Sequence, residues 1–168
     1  MIIIKSNKKT KQLTYAAIIA ALYFVLCAVS GSLGLSSGMI QLRLSEALCI
    51  LPIYTSAAVP GLFCGCIIAN LLLSGNVFDI IFGSIATLIG AVGTREIGKK
   101  HTILALLVPI MSNTLIIPFV LRYAFGLEDA MWVLFGCLFV GEVLSCGVLG
   151  MLLDRAISKS VKVTSTQK

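Results

Sequence analysis

Charged residues divide this chain into long apolar runs. Residues 12–42, 47–78, 80–94 and 102–121 contain no Asp, Glu, Lys or Arg, and residues 130–153 hold only Glu142. Asp, Lys or Arg at the centre of a membrane helix costs about 2.5 to 3.5 kcal/mol even on the most lenient scale, so the charges mark loops and the runs mark spans. A span needs roughly 20 residues at 1.5 Å each to cross about 30 Å of hydrocarbon. The first, fourth and fifth runs fit one helix apiece. The run between Glu46 and Asp79 is too long for one span and slightly short for two. Its middle, Pro52-Ile-Tyr-Thr-Ser-Ala-Ala-Val-Pro60, predicts two short helices joined by a turn.

Basic residues decide the count, because cytoplasmic loops collect Lys and Arg. With six spans and a cytoplasmic N-terminus, every basic residue except Arg43 and Arg122 falls on the cytoplasmic side. With five, the 95–101 loop and the C-terminal tail move outside and the bias reverses. The expectation is therefore an all-α membrane protein, one integral domain over 1–168, with both termini cytoplasmic. Its spans fall near 12–31, 44–56, 59–74, 79–94, 102–121 and 131–154, between basic cytoplasmic tails 1–11 and 155–168. Composition agrees: 58% of the residues are hydrophobic and only 12% charged, against roughly 25% charged in soluble domains. Such a chain is too apolar for disorder and has neither a collagen period nor a disulfide framework. The first apolar run is long for a signal peptide despite the small-x-small Ala28-Val29-Ser30, so the first helix is expected to be retained.

Several strings carry no chemistry. Gly93-Thr-Arg-Glu-Ile-Gly98-Lys99 fits the first seven positions of a phosphate-binding P-loop, but the eighth must be Ser or Thr to hold magnesium and is Lys100. A solvated basic loop is the better reading, so no ATPase is expected in this chain. The six cysteines, Cys27, Cys49, Cys64, Cys66, Cys137 and Cys146, lie in or beside spans, and Cys64-Gly-Cys66 lacks the second pair that zinc needs. His101 stands alone beside Lys100. No catalytic set, metal site, cofactor or nucleic-acid partner is expected.

Three acids sit where lipid would exclude them: Glu46 and Asp79 at the outer ends of the second and fourth spans, and Glu142 inside the sixth. Intramembrane ionisable groups face the bundle interior and mark functional sites. Local structure offers competing accounts, since Glu46 stands one turn after Arg43 and Asp79 is a candidate helix cap. Asn70 and Asn113, on the third and fifth spans, supply amides to the same interior. Acids and amides together describe a polar cavity suited to a ligand with several N–H donors or a cationic amine. Ala16, Ala17, Ala20 and Ala21 form two parallel Ala-x-x-x-Ala pairs on the first span, and Gly61, Gly65 and Ala69 a similar stripe on the third. Small residues at this spacing admit a second helix, from this chain or from a partner subunit.

Ordered blocks then carry a resemblance. Ile40-Gln-Leu-Arg43-Leu-Ser-Glu46, Pro60-Gly-Leu-Phe63 with Cys66-Ile-Ile-Ala-Asn70, Phe78-Asp-Ile-Ile-Phe-Gly-Ser84 with Ala86-Thr-Leu88, and Gly141-Glu142 followed by Gly147-Val-Leu-Gly150 resemble the QueT family. Members are substrate-binding S components of energy-coupling factor (ECF) transporters, assigned to salvage of queuosine precursors. The likeness covers most of residues 14–155 and is densest from 39 to 90.

The resemblance implies a six-span protein of the bacterial cell membrane with an extracellular pocket roofed by loops. It implies an alanine-rich first helix that docks a transmembrane coupling subunit, and two separate cytoplasmic ATPases. The implied ligand is a cyano- or aminomethyl-deazaguanine. Glu46 or Glu142 would accept paired hydrogen bonds from its guanine edge, Asp79 would face an aminomethyl group, and Asn70 and Asn113 would address the carbonyl and remaining ring positions. Arg43 completes the implied binding set. Three other readings compete: an S component with another vitamin or nucleobase as cargo, an intramembrane enzyme using Glu142 as acid or base, and a structural subunit whose acids pair internally. No recognisable nucleophile motif accompanies Glu142.

Overall fold

The computed structural model describes residues 8–36 and 40–166; Lys5 and Lys168, two of the basic residues weighed above, lie outside them. Among the described residues every regular element is helical and there is no strand. Helix α1 spans Lys8–Ser32. A 3-10 helix, Leu44–Ile53, follows. Helix α2 runs over Ala58–Ala69 and continues as a π-helical turn, Asn70–Ser74. Helix α3 is already helical at Val77 and Phe78, passes through a π-helical turn, Asp79–Gly83, and continues over Ser84–Gly98. Helix α4 covers Thr102–Ala124. Helix α5 has three parts: Met131–Glu142, a π-helical stretch Val143–Leu149, and Gly150–Thr166.

Four helices are long and apolar enough to cross a membrane: Lys8–Ser32, Asp79–Gly98, Thr102–Ala124 and Met131–Ser160. Leu44–Ile53 and Ala58–Ser74 are apolar but shorter. Helix takes in part of both basic tails, since α1 already begins at Lys8 and α5 extends to Thr166.

The 3-10 helix explains why the 47–78 run looked too long for one helix and too short for two. At about 2.0 Å per residue it covers a third more distance than an α-helix of equal length. Its buried residues include Glu46, Leu48, Cys49 and Ile50, and it packs against α1, α3 and α5 at the centre of the bundle.

Contacts sort the helix ends into two groups. At one end Asn76 Nδ2 donates to the Ala124 carbonyl at 3.1 Å. There α1, α2 and α4 each stop beside a glycine with positive φ: Gly34, Gly75 and Gly126. Left-handed backbone after the last helical turn favours glycine because no Cβ meets the carbonyl. At the other end Tyr54 Oη donates to Asp154 Oδ1 at 2.6 Å, Gln12 Nε2 donates to Ser56 Oγ at 3.3 Å, and Gly98 packs on Ile53 and Ala105. Lys8, Lys9, Lys11, Arg95, Lys99, Lys100, Arg155 and Lys159 belong to this second end.

Close helix contacts account for the small residues. A Cβ at Gly61 would meet the Ala16 carbonyl at 2.8 Å, and one at Gly65 would meet Tyr23 Cβ at 2.8 Å and Ala20 Cα at 3.0 Å. The stripe on α2 is therefore internal, and it faces Ala16 and Ala20. Ala17 and Ala21 point outward with Leu13, Ile18, Leu22 and Val25. Gly93 of the P-loop-like string lies inside α3 against Val108 of α4, and Gly90 against Pro109. That string is a helix-packing surface, not a loop that could wrap a phosphate.

Candidate binding site

Helix α1 is fastened to the start of the 3-10 helix along one stripe, at positions 23, 27 and 30. Tyr23 Oη donates to Glu46 Oε1 at 2.6 Å, and Cys27 Sγ bonds Ser45 Oγ at 3.0 Å. Ser30 Oγ accepts the Leu44 N–H at 2.9 Å while donating to the Leu26 carbonyl. From the other side Ser145 Oγ of α5 accepts the Arg43 N–H at 3.0 Å. Gly141 lets the extended backbone approach, because any side chain there would run into the Gln41 carbonyl. Residues 41–46 are thus clamped between α1 and α5.

Beneath this segment lies a buried polar network. Glu46 is 1% exposed, and its Oε2 accepts from Cys49 Sγ at 3.0 Å and from Asn113 Nδ2 at 3.5 Å. Glu142, 4% exposed, sits beside Asn113 and Glu46, and its Oε2 has no hydrogen-bond partner among the described residues. Buried polar atoms are nearly always satisfied, so an orphan acceptor in a carboxylate marks a place that calls for a donor.

The bundle also holds a cavity of about 820 Å³, within the roughly 300 to 1,000 Å³ typical of small-molecule sites. Arg43, Asn70 and Asp79 supply its polar wall, and Leu121, Phe125 and Leu127 its apolar one. Arg43 Nη2 donates to Gln41 Oε1 at 3.2 Å. Asn70 Nδ2 donates to the Asp79 carbonyl at 2.8 Å. Gly83 leaves room for both side chains, since a Cβ there would meet Asn70 Nδ2 at 2.7 Å and Asp79 Oδ1 at 3.3 Å.

The sequence-predicted set therefore separates into two groups. Arg43, Asn70 and Asp79 line the cavity; Glu46, Asn113 and Glu142 form a buried cluster that does not line it. Two local expectations are corrected. Glu46 does not pair with Arg43: the one ion pair among the described residues is Lys99 with Glu96, and the Glu46 carboxylate is taken by Tyr23, Cys49 and Asn113. Asp79 is not the cap of α3. Asn76 is, its Oδ1 accepting the Phe78 N–H at 2.9 Å, which frees Asp79 for the cavity. Arg122 is engaged in its own loop, donating to the Glu128 and Asp129 carbonyls.

Sequence reasoning missed Tyr23, Gln41, Ser30 and Ser145. It also passed over a backbone signal: each π-helical segment begins at or directly after one of the predicted polar residues, Asn70, Asp79 and Glu142. A widened turn re-aims the side chains beside it and recurs at functional sites. The cysteines are all free, and no cluster of metal-ligating side chains occurs among the described residues.

Comparison with known proteins gives two positive findings and one negative. The family described as QueT transporter matches residues 13–159. The queuosine precursor transporter QueT of Lactococcus lactis subsp. cremoris (strain MG1363) is 35% identical over 83 residues, 49% of this chain and 48% of that protein. The match thus spans about half the length of the relative. No solved structure matches.

Proposed function

The chain belongs to the QueT transporter family, a multi-pass membrane protein by its apolar helices, and from that premise we propose that it binds a queuosine precursor for import. In this reading it is the S component of an ECF transporter. It captures a cyano- or aminomethyl-deazaguanine from outside and relies on a transmembrane coupling subunit and two cytoplasmic ATPases for energy.

The observation that carries the proposal is the cavity beside Arg43, Asn70 and Asp79, at the end opposite the one that carries Lys8, Lys9, Lys11, Lys99, Lys100 and Lys159. Under the positive-inside rule that end is extracellular. The four long helices, the 3-10 helix and α2 then make six crossings, with both described chain ends on the cytoplasmic side. The buried cluster of Glu46, Asn113 and Glu142 lies deeper in the bundle than the cavity wall, so in this reading a ligand entering from outside has no open path through the bundle. Release to the cytoplasm needs a rearrangement of the whole bundle, which suits a protein driven by partner subunits.

Ala17 and Ala21, outward on α1, form the docking face for the coupling subunit in this proposal; Ala16 and Ala20 are used against α2. A structural subunit with internally paired acids fits less well, because among the described residues the Asp79 carboxylate and Glu142 Oε2 have no hydrogen-bond donor. Gentle extraction from the native membrane followed by mass spectrometry of the co-purifying small molecule tests the proposal. A deazaguanine in stoichiometric amount is expected; a different vitamin or nucleobase would reassign the cargo.

A further inference from the structure

The free hydrogen-bonding groups of the cavity are unevenly distributed. On the α2–α3 side stand acceptors. The Asp79 carboxylate is 4% exposed and accepts no hydrogen bond from the described residues, and Asn70, 7% exposed, has its Nδ2 committed and its Oδ1 open. On the side of the 41–43 segment stand donors, the guanidinium N–H groups that Arg43 does not use on Gln41. Arg43 and Asp79 line the same cavity and form no ion pair with each other. The apolar side chains of Leu121, Phe125 and Leu127 line the same cavity and offer a surface on which a flat ring can lie.

A buried carboxylate with no donor is costly unless a ligand supplies one. Its two oxygens suit two parallel N–H groups on one edge, and a guanidinium on the same cavity wall suits the carbonyl next to them. We infer that this chain recognises its ligand through a 2-aminopyrimidinone edge, with Asp79 accepting from the ring N–H and the exocyclic amine, Asn70 Oδ1 beside it, and Arg43 donating to the ring carbonyl. The inference rests on the transport of a deazaguanine proposed above. It moves edge recognition from Glu46 or Glu142, which do not line the cavity, to Asp79. The substituent on the five-membered ring is then not what the site reads, so cyano and aminomethyl precursors share one binding mode.

Isothermal titration of the purified full-length protein in detergent tests this with four probes: 7-aminomethyl-7-deazaguanine, 7-cyano-7-deazaguanine, 7-deazaguanine, and the 2-deamino analogue of the cyano compound. The three guanine-type bases should bind within about tenfold of one another. Loss of the 2-amino group should weaken binding at least tenfold, as expected for one charge-assisted hydrogen bond. Asp79→Asn should shrink that discrimination towards unity. A deamino analogue that binds the wild-type protein within threefold of its parent overturns the inference and leaves the transport assignment standing. Wild-type protein that binds none of the four overturns both. If Asp79→Asn does not fold, Glu46→Gln and Glu142→Gln decide instead: 2-amino discrimination retained in both supports Asp79 as the reader of the edge, and its loss in either overturns the inference.

Discussion

Replacing Tyr23 with Phe should cost this protein measurable stability although the ring stays in place. Tyr23 is 1% exposed on α1, and its hydroxyl donates to Glu46 Oε1 at 2.6 Å. Phe keeps the packing against Gly65 and deletes one oxygen, so the cost isolates the hydrogen bond. A bond to a charged partner contributes about 1.5 to 3 kcal/mol, and its loss leaves a buried oxygen short of a donor. For a chain of this size each kcal/mol moves the melting temperature by roughly 2 to 4 °C. A fall of about 3 to 12 °C follows, read by thermal unfolding in detergent. Combining Tyr23→Phe with Glu46→Gln identifies the cause: residues joined by one bond should show a coupling of about 0.5 to 3 kcal/mol. A Tyr23→Phe protein that melts with the wild type, or strict additivity in the double mutant, refutes the assignment of this bond as the clamp between α1 and the 3-10 helix.

Gly65→Ala should lower stability by about 1 to 3 kcal/mol, because the added methyl meets Ala20 backbone that cannot turn aside; unchanged unfolding would mean that α1 and α2 are further apart than described. Asn76→Ala should cost about 0.5 to 2 kcal/mol through loss of the α3 cap, whereas Asp79→Asn should leave stability nearly intact, and equal losses in the two would contradict the capping assignment. Ala17→Trp or Ala21→Trp should abolish uptake by whole cells yet preserve ligand binding by the purified protein, while Ala20→Trp should fail to fold. Retained uptake in the first pair would show that the outward face of α1 docks nothing.

Charge was the most legible feature of this sequence, and it carried the reading furthest. Lys and Arg placement argued for which loops share an end, and Glu46, Asp79 and Glu142 stood out because acids are costly inside an apolar run. The 3-10 geometry of Leu44–Ile53 was hidden, since a ten-residue apolar segment gives no period long enough to separate helix types. Asn76 was overlooked beside the more conspicuous Asp79, although Asn directly before a helix is an equally good cap. Tyr23 left a usable signal: a phenol within an apolar span needs a partner for its hydroxyl. The division of six polar residues into a cavity wall and a buried cluster had no sequence signal, because it depends on which helices meet.

Helix α1 is held on one flank at Tyr23, Cys27 and Ser30 and bare on the other at Ala17 and Ala21. The fastened flank grips the stretch of chain that carries Arg43, so in the proposed reading a cargo held by that arginine is tied to α1 at three points. Under the proposed function, one helix thus joins the candidate binding site to the face offered to the coupling subunit.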